Sequence, residues 1–458
     1  MHQQTASFYG GASLDSRAVV ATETVSLRER ASLALGGVSA EAVVLAVAIP
    51  IIFIHVKYQP KFHVGVSSTK VGVELSDFAV LAVVVAAALA GLRRGFAPLR
   101  RGVALWAGAA AFFVWIVIEL AIPFGTAGYP GARHAVTAAK YFEYALLAPA
   151  IVLLVRGRAE LRLLVAVLTA WSVVASTVGL AQFFGANIFF SATTGGRQPS
   201  FLGFHDFASL STAVLLVAAA TIALPRLELD ARIGWIAAIS GIVGVAISAA
   251  IAAVVGIGAA SVALLAVSLV RREAELRRLA TAGVVIALAV AGAVGMRNTD
   301  LGQYLGFLHH EQEHNVQTYA HRTVLAYIGY RMWLDHPVAG VGWEASGDPS
   351  RFMHYVPIAK RKFPNEPELV FPSPTRQYGV QNLYVQALAD LGVVGFLLLA
   401  AVFLSAVALA ARRLGTAVGV TALLWVLAVG GLWTAEGIVA GLPLDALTWF
   451  ALGLAARD

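Results

Sequence analysis

The chain alternates long apolar runs with short polar breaks. The runs have the length and composition of membrane helices, and their periodicity is not that of strands. Runs of the ~20 apolar residues that a span requires predict about twelve helices. They fall near 35–56, 78–92, 103–122, 141–155, 163–184, 207–224, 233–248, 251–270, 279–296, 383–411, 417–434 and 439–456. The seventh and eighth have almost no polar break between them. The expected fold is an all-α polytopic membrane protein in four stretches. A polar tail covers 1–30, helices one to nine cover 31–296, a long polar loop covers 297–380, and helices ten to twelve cover 381–458.

The stretch from Arg297 to Gln381 is the one long polar run. It holds six of the eleven His, eight basic residues and eight acidic ones. A loop of this length between apolar segments is functional or disordered. The run from Trp333 to Trp343, with His336-Pro337 and Gly340-Val341-Gly342 inside it, reads as built, so chemistry is expected there.

Composition sharpens this picture. Hydrophobic residues make up 59% of the 458 and charged ones only 13%, against roughly 25% charged in a soluble domain. Cys is absent, which excludes disulfides and Cys-ligated metals. The net charge of +7 invites a nucleic-acid reading. Its distribution argues against one, because the Arg cluster in alternate short loops (Arg93, Arg94, Arg100 and Arg101; Arg156, Arg158 and Arg162; Arg271, Arg272, Arg277 and Arg278; Arg412 and Arg413), as orientation signals do. By that rule both termini are cytoplasmic and the long loop lies outside. The tail, with Arg17, Arg28 and Arg30, reads as cytoplasmic and not as a cleaved signal.

Several side chains could carry chemistry. Arg197 lies in an outer loop before His205 and suits a diphosphate, because a planar guanidinium pairs with phosphate oxygens; a headgroup anchor is the plainer alternative. Arg322 and Arg331 are nine apart on one amphipathic helix, a spacing that puts them on one face to within about half a turn. Arg351, Lys360, Arg361, Lys362 and Arg376 form a looser basic set, and such runs are usually solvated. Glu119 and Glu143 fall in or near apolar segments, where an ionisable group is a functional candidate, and Glu143 could pair with Lys140 three residues earlier. His310-Glu311-Gln312-Glu313-His314 is a literal HExxH. Two His at that spacing can bind zinc with the Glu as general base. A third ligand is missing at the longer motif's position, where Ala320 stands, so neither metal nor other cofactor is expected.

Three stretches together resemble the O-antigen ligase and O-antigen polymerase family of bacterial membrane glycosyltransferases, which are GT-C-like. One is Arg322 followed by Trp333 to Gly342, similar to an Arg and an "hPl.GvG" stretch opening the family's large outer loop. Another is Gln381 to Gly395, similar to the "HN.yl….e.G..G" start of the helix after that loop. The third is Gly196-Arg197 leading to Gly203-Phe204-His205-Asp206. The likeness runs from about Lys140 to Gly395. It implies transfer of a glycan from a polyprenyl diphosphate, such as undecaprenyl diphosphate, to a hydroxyl of a glycan or glycolipid acceptor. It implies a place in the bacterial cytoplasmic (inner) membrane, an extracytoplasmic active face and a role in cell-surface polysaccharide or lipopolysaccharide synthesis. The lipid bilayer, the donor and the acceptor are then the partners, and nucleic acid is not.

On this resemblance Arg197 and Arg322 hold the diphosphate, with Arg331, Arg376, His205, Lys140, Gln381 and Asn382 as further substrate-binding residues. Two positions depart from the family. Its His before Asn is Gln381 here, and an amide cannot be a general base; its Ser-Arg is Ser248-Ala249 here. His354 or His321 is then the candidate base, and Arg331 or Arg376 the replacement Arg. Two alternatives follow: an inactive family member that binds polyprenyl-linked glycans, and a membrane zinc metalloprotease built on His310, Glu311 and His314.

Overall fold

A computed structural model describes residues 38–457, apart from 67–68, 191–195, 228–229 and 310–317. The expected tail over 1–30 and the HExxH stretch lie outside the described residues. All elements below lie within Ser39–Asp458.

The helices are α1 (Ala40–Ile52), α2 (Leu75–Arg94), α3 (Val103–Ala121), α4 (Gly131–Ala145), α5 (Leu147–Leu154), α6 (Arg158–Phe183), α7 (Phe204–Ala223), α8 (Ala231–Ser248), α9 (Ile251–Val270) and α10 (Leu276–Met296). Then come α11 (Asn298–Leu308), α12 (Thr318–Asp335), α13 (Pro349–Phe352), α14 (Val356–Lys362), α15 (Leu383–Ala411), α16 (Ala417–Leu432) and α17 (Leu442–Ala456). One antiparallel hairpin, β1 (Lys61–Val66) with β2 (Thr69–Glu74), joins α1 to α2. Among the described residues nine helices, counting α4 with α5 as one, are long and apolar enough to cross a membrane. The segments α1, α16 and α17 are apolar helices too, but shorter. The expectation of twelve spans therefore stands at nine by length and composition, and the chain is a multi-pass membrane protein.

Burial sorts these helices. Beyond its first turn α7 is apolar or small all the way round, the signature of a helix enclosed on every side, and nearly all of it is buried. The whole of α17 is buried as well. The outer helices turn Val and Leu outward, as Val114 and Val117 on α3 or Val284 and Leu288 on α10 do. Hydrocarbon, unlike water, makes that no penalty. Small residues allow the inner helices to meet closely: a Cβ on Gly256 of α9 would lie 2.4 Å from the Ala428 carbonyl oxygen of α16, the small-residue contact by which membrane helices associate.

The described residues of the long polar stretch are not an open loop. It forms α11 to α14 with short 3₁₀ turns and has a core of its own, in which Val324, Ile328 and Met332 of α12 pack with Phe352, Tyr355, Val370 and Phe371. The segment 337–342 fastens this module to the membrane helices. α15 is broken at Gly392 (φ 65°, ψ −170°), which leaves peptide groups on both sides of the break without helical partners. Segment 337–342 supplies them: Val341 N donates to the Ala389 carbonyl (2.8 Å), Gly342 N to Asp390 (3.1 Å), and Val393 N to the Pro337 carbonyl (2.9 Å). Non-helical backbone at membrane depth survives only when so satisfied. Beneath it, the Gln386 amide donates to both Glu344 (3.1 Å) and Asp390 (3.0 Å), and an Asp390 carboxylate oxygen accepts from Ser346 N at 2.7 Å.

Candidate active site

The site is assembled where α8 turns into α9. α8 ends at Ser248, Ala249 turns the backbone through a left-handed conformation (φ 48°), and α9 begins at Ile251. The turn leaves the Ile247 and Ser248 carbonyls free of helical partners. The loop before α7 takes both: Gln198 N donates to Ile247 and Arg197 Nε to Ser248, each at 2.9 Å. These bonds fix Arg197, whose guanidinium also lies over the Phe204 ring at 4.3 Å. Its second terminal nitrogen is buried with no partner. Burial, and then the nearby Arg297, push its ionisation down to about 10, so it remains a cation at neutral pH.

Opposite stands Arg322 on α12. Its terminal nitrogen lies 3.1 Å from His205 Nε2, in the first turn of α7, while its Nε is buried with no partner. The same His205 nitrogen is 3.1 Å from a carboxylate oxygen of Glu436, between α16 and α17. Burial, opposed by Arg322 and Arg197, raises Glu436 to about 7. A third cation, Arg297, sits where α10 meets α11. It pairs with Asp300 at 2.8 Å and donates from Nε to the Tyr319 hydroxyl at 3.1 Å.

Arg322 opens on a cavity of about 270 Å³. Its other walls are Tyr304, Tyr319 and Thr323, the first residues of α9 (Ile251, Ala252), Gln381, Asn382, Thr434 and Ala435. The first N–H groups of α9 have no helical acceptor and favour negative charge. Asn382 caps α15 with its side-chain oxygen and donates from its amide to the Thr434 carbonyl at 3.0 Å, which ties the two ends of the wall together. Three guanidiniums stand against two carboxylates, leaving one net positive charge with His205 neutral. Two guanidinium N–H sites are buried and unmatched. Such groups are expensive to leave unpaired, and an anion with several oxygens would satisfy them.

Arg197, Arg322, His205, Gln381 and Asn382 of the sequence candidates are brought together here. The others are not. Arg331 shares α12 with Arg322, but nine residues at 100° each make two and a half turns, so the two cations face opposite sides; Arg331 is a neighbour of Tyr355. Arg376 donates to the Leu369 carbonyl at 2.9 Å. His321 Nδ1 is held by the Val370 carbonyl at 2.6 Å, and burial keeps its imidazole below the ordinary value. His354 is exposed beside Tyr355. Lys140 is paired with Asp77 of α2 at 2.7 Å and not with Glu143. Among the described residues no group of three or more His, Asp and Glu could hold a metal ion.

The sequence reading missed Glu436 and the roles of Arg297, Tyr304 and Tyr319. For Glu436 a signal existed: it is a lone acid between two apolar helices, the pattern that singled out Glu119 and Glu143. Glu119 itself is buried under Trp343, whose N–H reaches its carbonyl at 3.3 Å.

No curated protein matches the chain. Residues 235–400, which carry Arg297, Arg322, Gln381 and Asn382, match the family model described as O-antigen ligase. That match spans about a third of the chain, and over it the chain is similar to the O-antigen ligase/polymerase family.

Proposed function

We propose that the protein moves a glycan from a polyprenyl diphosphate to a hydroxyl of an acceptor glycan or glycolipid, at the outer face of the bacterial inner membrane. The observation that carries this reading is the pair of buried, unmatched guanidinium N–H sites on Arg197 and Arg322, with Arg322 lining one small cavity. At 270 Å³ that cavity suits a headgroup and not a whole glycan.

The acceptor oxygen attacks the anomeric carbon, the carbon–oxygen bond to phosphorus breaks, and the electron pair leaves on the diphosphate. Negative charge grows on the phosphate oxygens, where fixed guanidiniums stabilise it without reorganising. Arg322 faces the cavity, Arg197 and Arg297 add to its field, and the start of α9 adds N–H donors. Gln381 and Asn382 line the opposite wall and can orient the glycan by hydrogen bonds. In this reading the tail over 1–30 is cytoplasmic and the module over 297–380 is external.

The test uses purified protein in lipid discs, a polyprenyl-diphosphate-linked glycan and no added metal, following release of free polyprenyl diphosphate. Arg322→Ala and Arg197→Ala should each lower release roughly 10²–10³-fold, the usual effect of removing one charge-stabilising donor. Unchanged release in both variants refutes the assignment. Gln381 and Ala249, standing where the family has His and Arg, favour a second reading as a glycan-lipid binding protein without turnover. Binding with no release from any donor would establish it.

A further inference from the structure

We propose that Glu436 takes the proton of the attacking acceptor hydroxyl, and that His205 positions it. This rests on the transferase reading above. That reaction needs a proton acceptor, and Gln381 cannot be one. The two histidines first considered are placed elsewhere: His321 is committed to the Val370 carbonyl and His354 is exposed beside Tyr355. Glu436 follows directly on Thr434 and Ala435, which line the cavity wall. Its carboxylate meets His205 Nε2 at 3.1 Å, and about a fifth of its side chain stays exposed (19%).

A carboxylate beside an anion site is unfavourable unless it does something, because it repels the ligand. Here it sits among groups that keep it usable. Arg322 on α12 and Arg197 before α7 favour its charged form, while burial opposes it. Burial sets the balance near neutrality, where a general base is most effective. A bound diphosphate adds negative charge beside it and strengthens it as a base when the donor is in place. His205 holds the position: its Nε2 lies 3.1 Å from both the Arg322 guanidinium and the Glu436 carboxylate, and so keeps the two side chains together. In the transfer step the acceptor O–H bond breaks as the new glycosidic bond forms, the proton passes to the Glu436 carboxylate, and the diphosphate leaves with the bonding pair.

Two measurements separate this inference from the reading it rests on. The first is binding of undecaprenyl diphosphate to the protein in lipid discs between pH 7 and 8.5, with proton uptake measured by calorimetry in buffers of different ionisation heat. The unaltered protein should take up a substantial fraction of a proton per ligand near pH 7.5 and bind more weakly as the pH rises. Glu436→Gln should take up none and bind roughly tenfold more tightly at pH 8. Loss of binding in Arg322→Ala supports the anion site; if Arg322→Ala binds as well as the unaltered protein, the transferase reading falls and this inference with it. Intact Arg322 dependence with equal proton uptake in Glu436→Gln overturns this inference alone.

The second measurement is transfer. Glu436→Gln should lower kcat about 10²–10³-fold with the donor KM unchanged or lower, Glu436→Asp should restore part of it, and His205→Gln should lower kcat less and shift its pH profile. Glu436→Gln keeps the side chain's shape, and its retained ligand binding reports an intact fold. Full activity in Glu436→Gln overturns the assignment.

Discussion

Replacing Gly392 by Ala should unfasten the polar module from the membrane helices. At φ 65° and ψ −170° this residue occupies a region nearly closed to any side chain, and the strain there is about 1–3 kcal/mol. A Cβ would also lie 2.1 Å from the Val338 carbonyl oxygen and 2.3 Å from its carbon. These are backbone atoms of the segment that completes the broken helix, so relief requires that segment to retreat. Retreat endangers the bonds from Val341, Gly342 and Val393, each worth about 0.5–1.5 kcal/mol net. Together the loss is about 2.5–7.5 kcal/mol. Thermal unfolding in lipid discs should fall by several degrees, and hydrogen exchange should rise at the amides of 341, 342 and 393 before it rises elsewhere. Gly258→Ala is the control: nothing lies within 4 Å of a Cβ there, inside α9, and the exchange should be neutral or stabilising by up to ~1 kcal/mol. If Gly392→Ala melts with the parent and keeps its amide protection, the account of how this segment completes α15 is wrong.

Other expectations follow from the same geometry. Lys140→Met leaves Asp77 unpaired in a partly buried place, so it should lower the unfolding temperature while the ratio of donor turnover to donor binding stays unchanged. His354→Ala, at an exposed site away from the cation cluster, should change transfer less than twofold. Glu436→Gln should raise the unfolding temperature at pH 8 but not at pH 5. A carboxyl held near 7 by burial burdens the fold progressively as the pH climbs from its unfolded value toward 7, and fully above that. An equal effect at both pH values would contradict it.

The helices were legible because apolar length is written in the chain directly; three of the twelve expected spans form apolar helices shorter than the rest. Motif residues that meet in the site, such as Arg197, Arg322 and Asn382, were legible through their order around the polar stretch. Arg331 failed for a geometric reason, since nine residues is the wrong multiple for a shared helix face. Lys140, His321 and Arg376 lie apart from the cluster for another: each is held by a partner, Asp77 or the Val370 and Leu369 carbonyls, that no local pattern announces. Glu436 stayed hidden because it reaches the cluster from beyond α16, and only the packing of α16 and α17 against α7 brings it to His205.

The break in α15 also sets a limit on modularity. The polar stretch has its own apolar core and looks like a domain that could be cut out and studied in water. Yet the peptide groups along 337–342 find their partners on a membrane helix, and that helix needs them equally. Neither piece is whole without the other. A fragment spanning only the polar module would expose an unpaired edge at 337–342, and a membrane part lacking it would leave open peptide groups at Gly392. Graft, truncation and loop exchange in this protein therefore have to carry both sides of that seam.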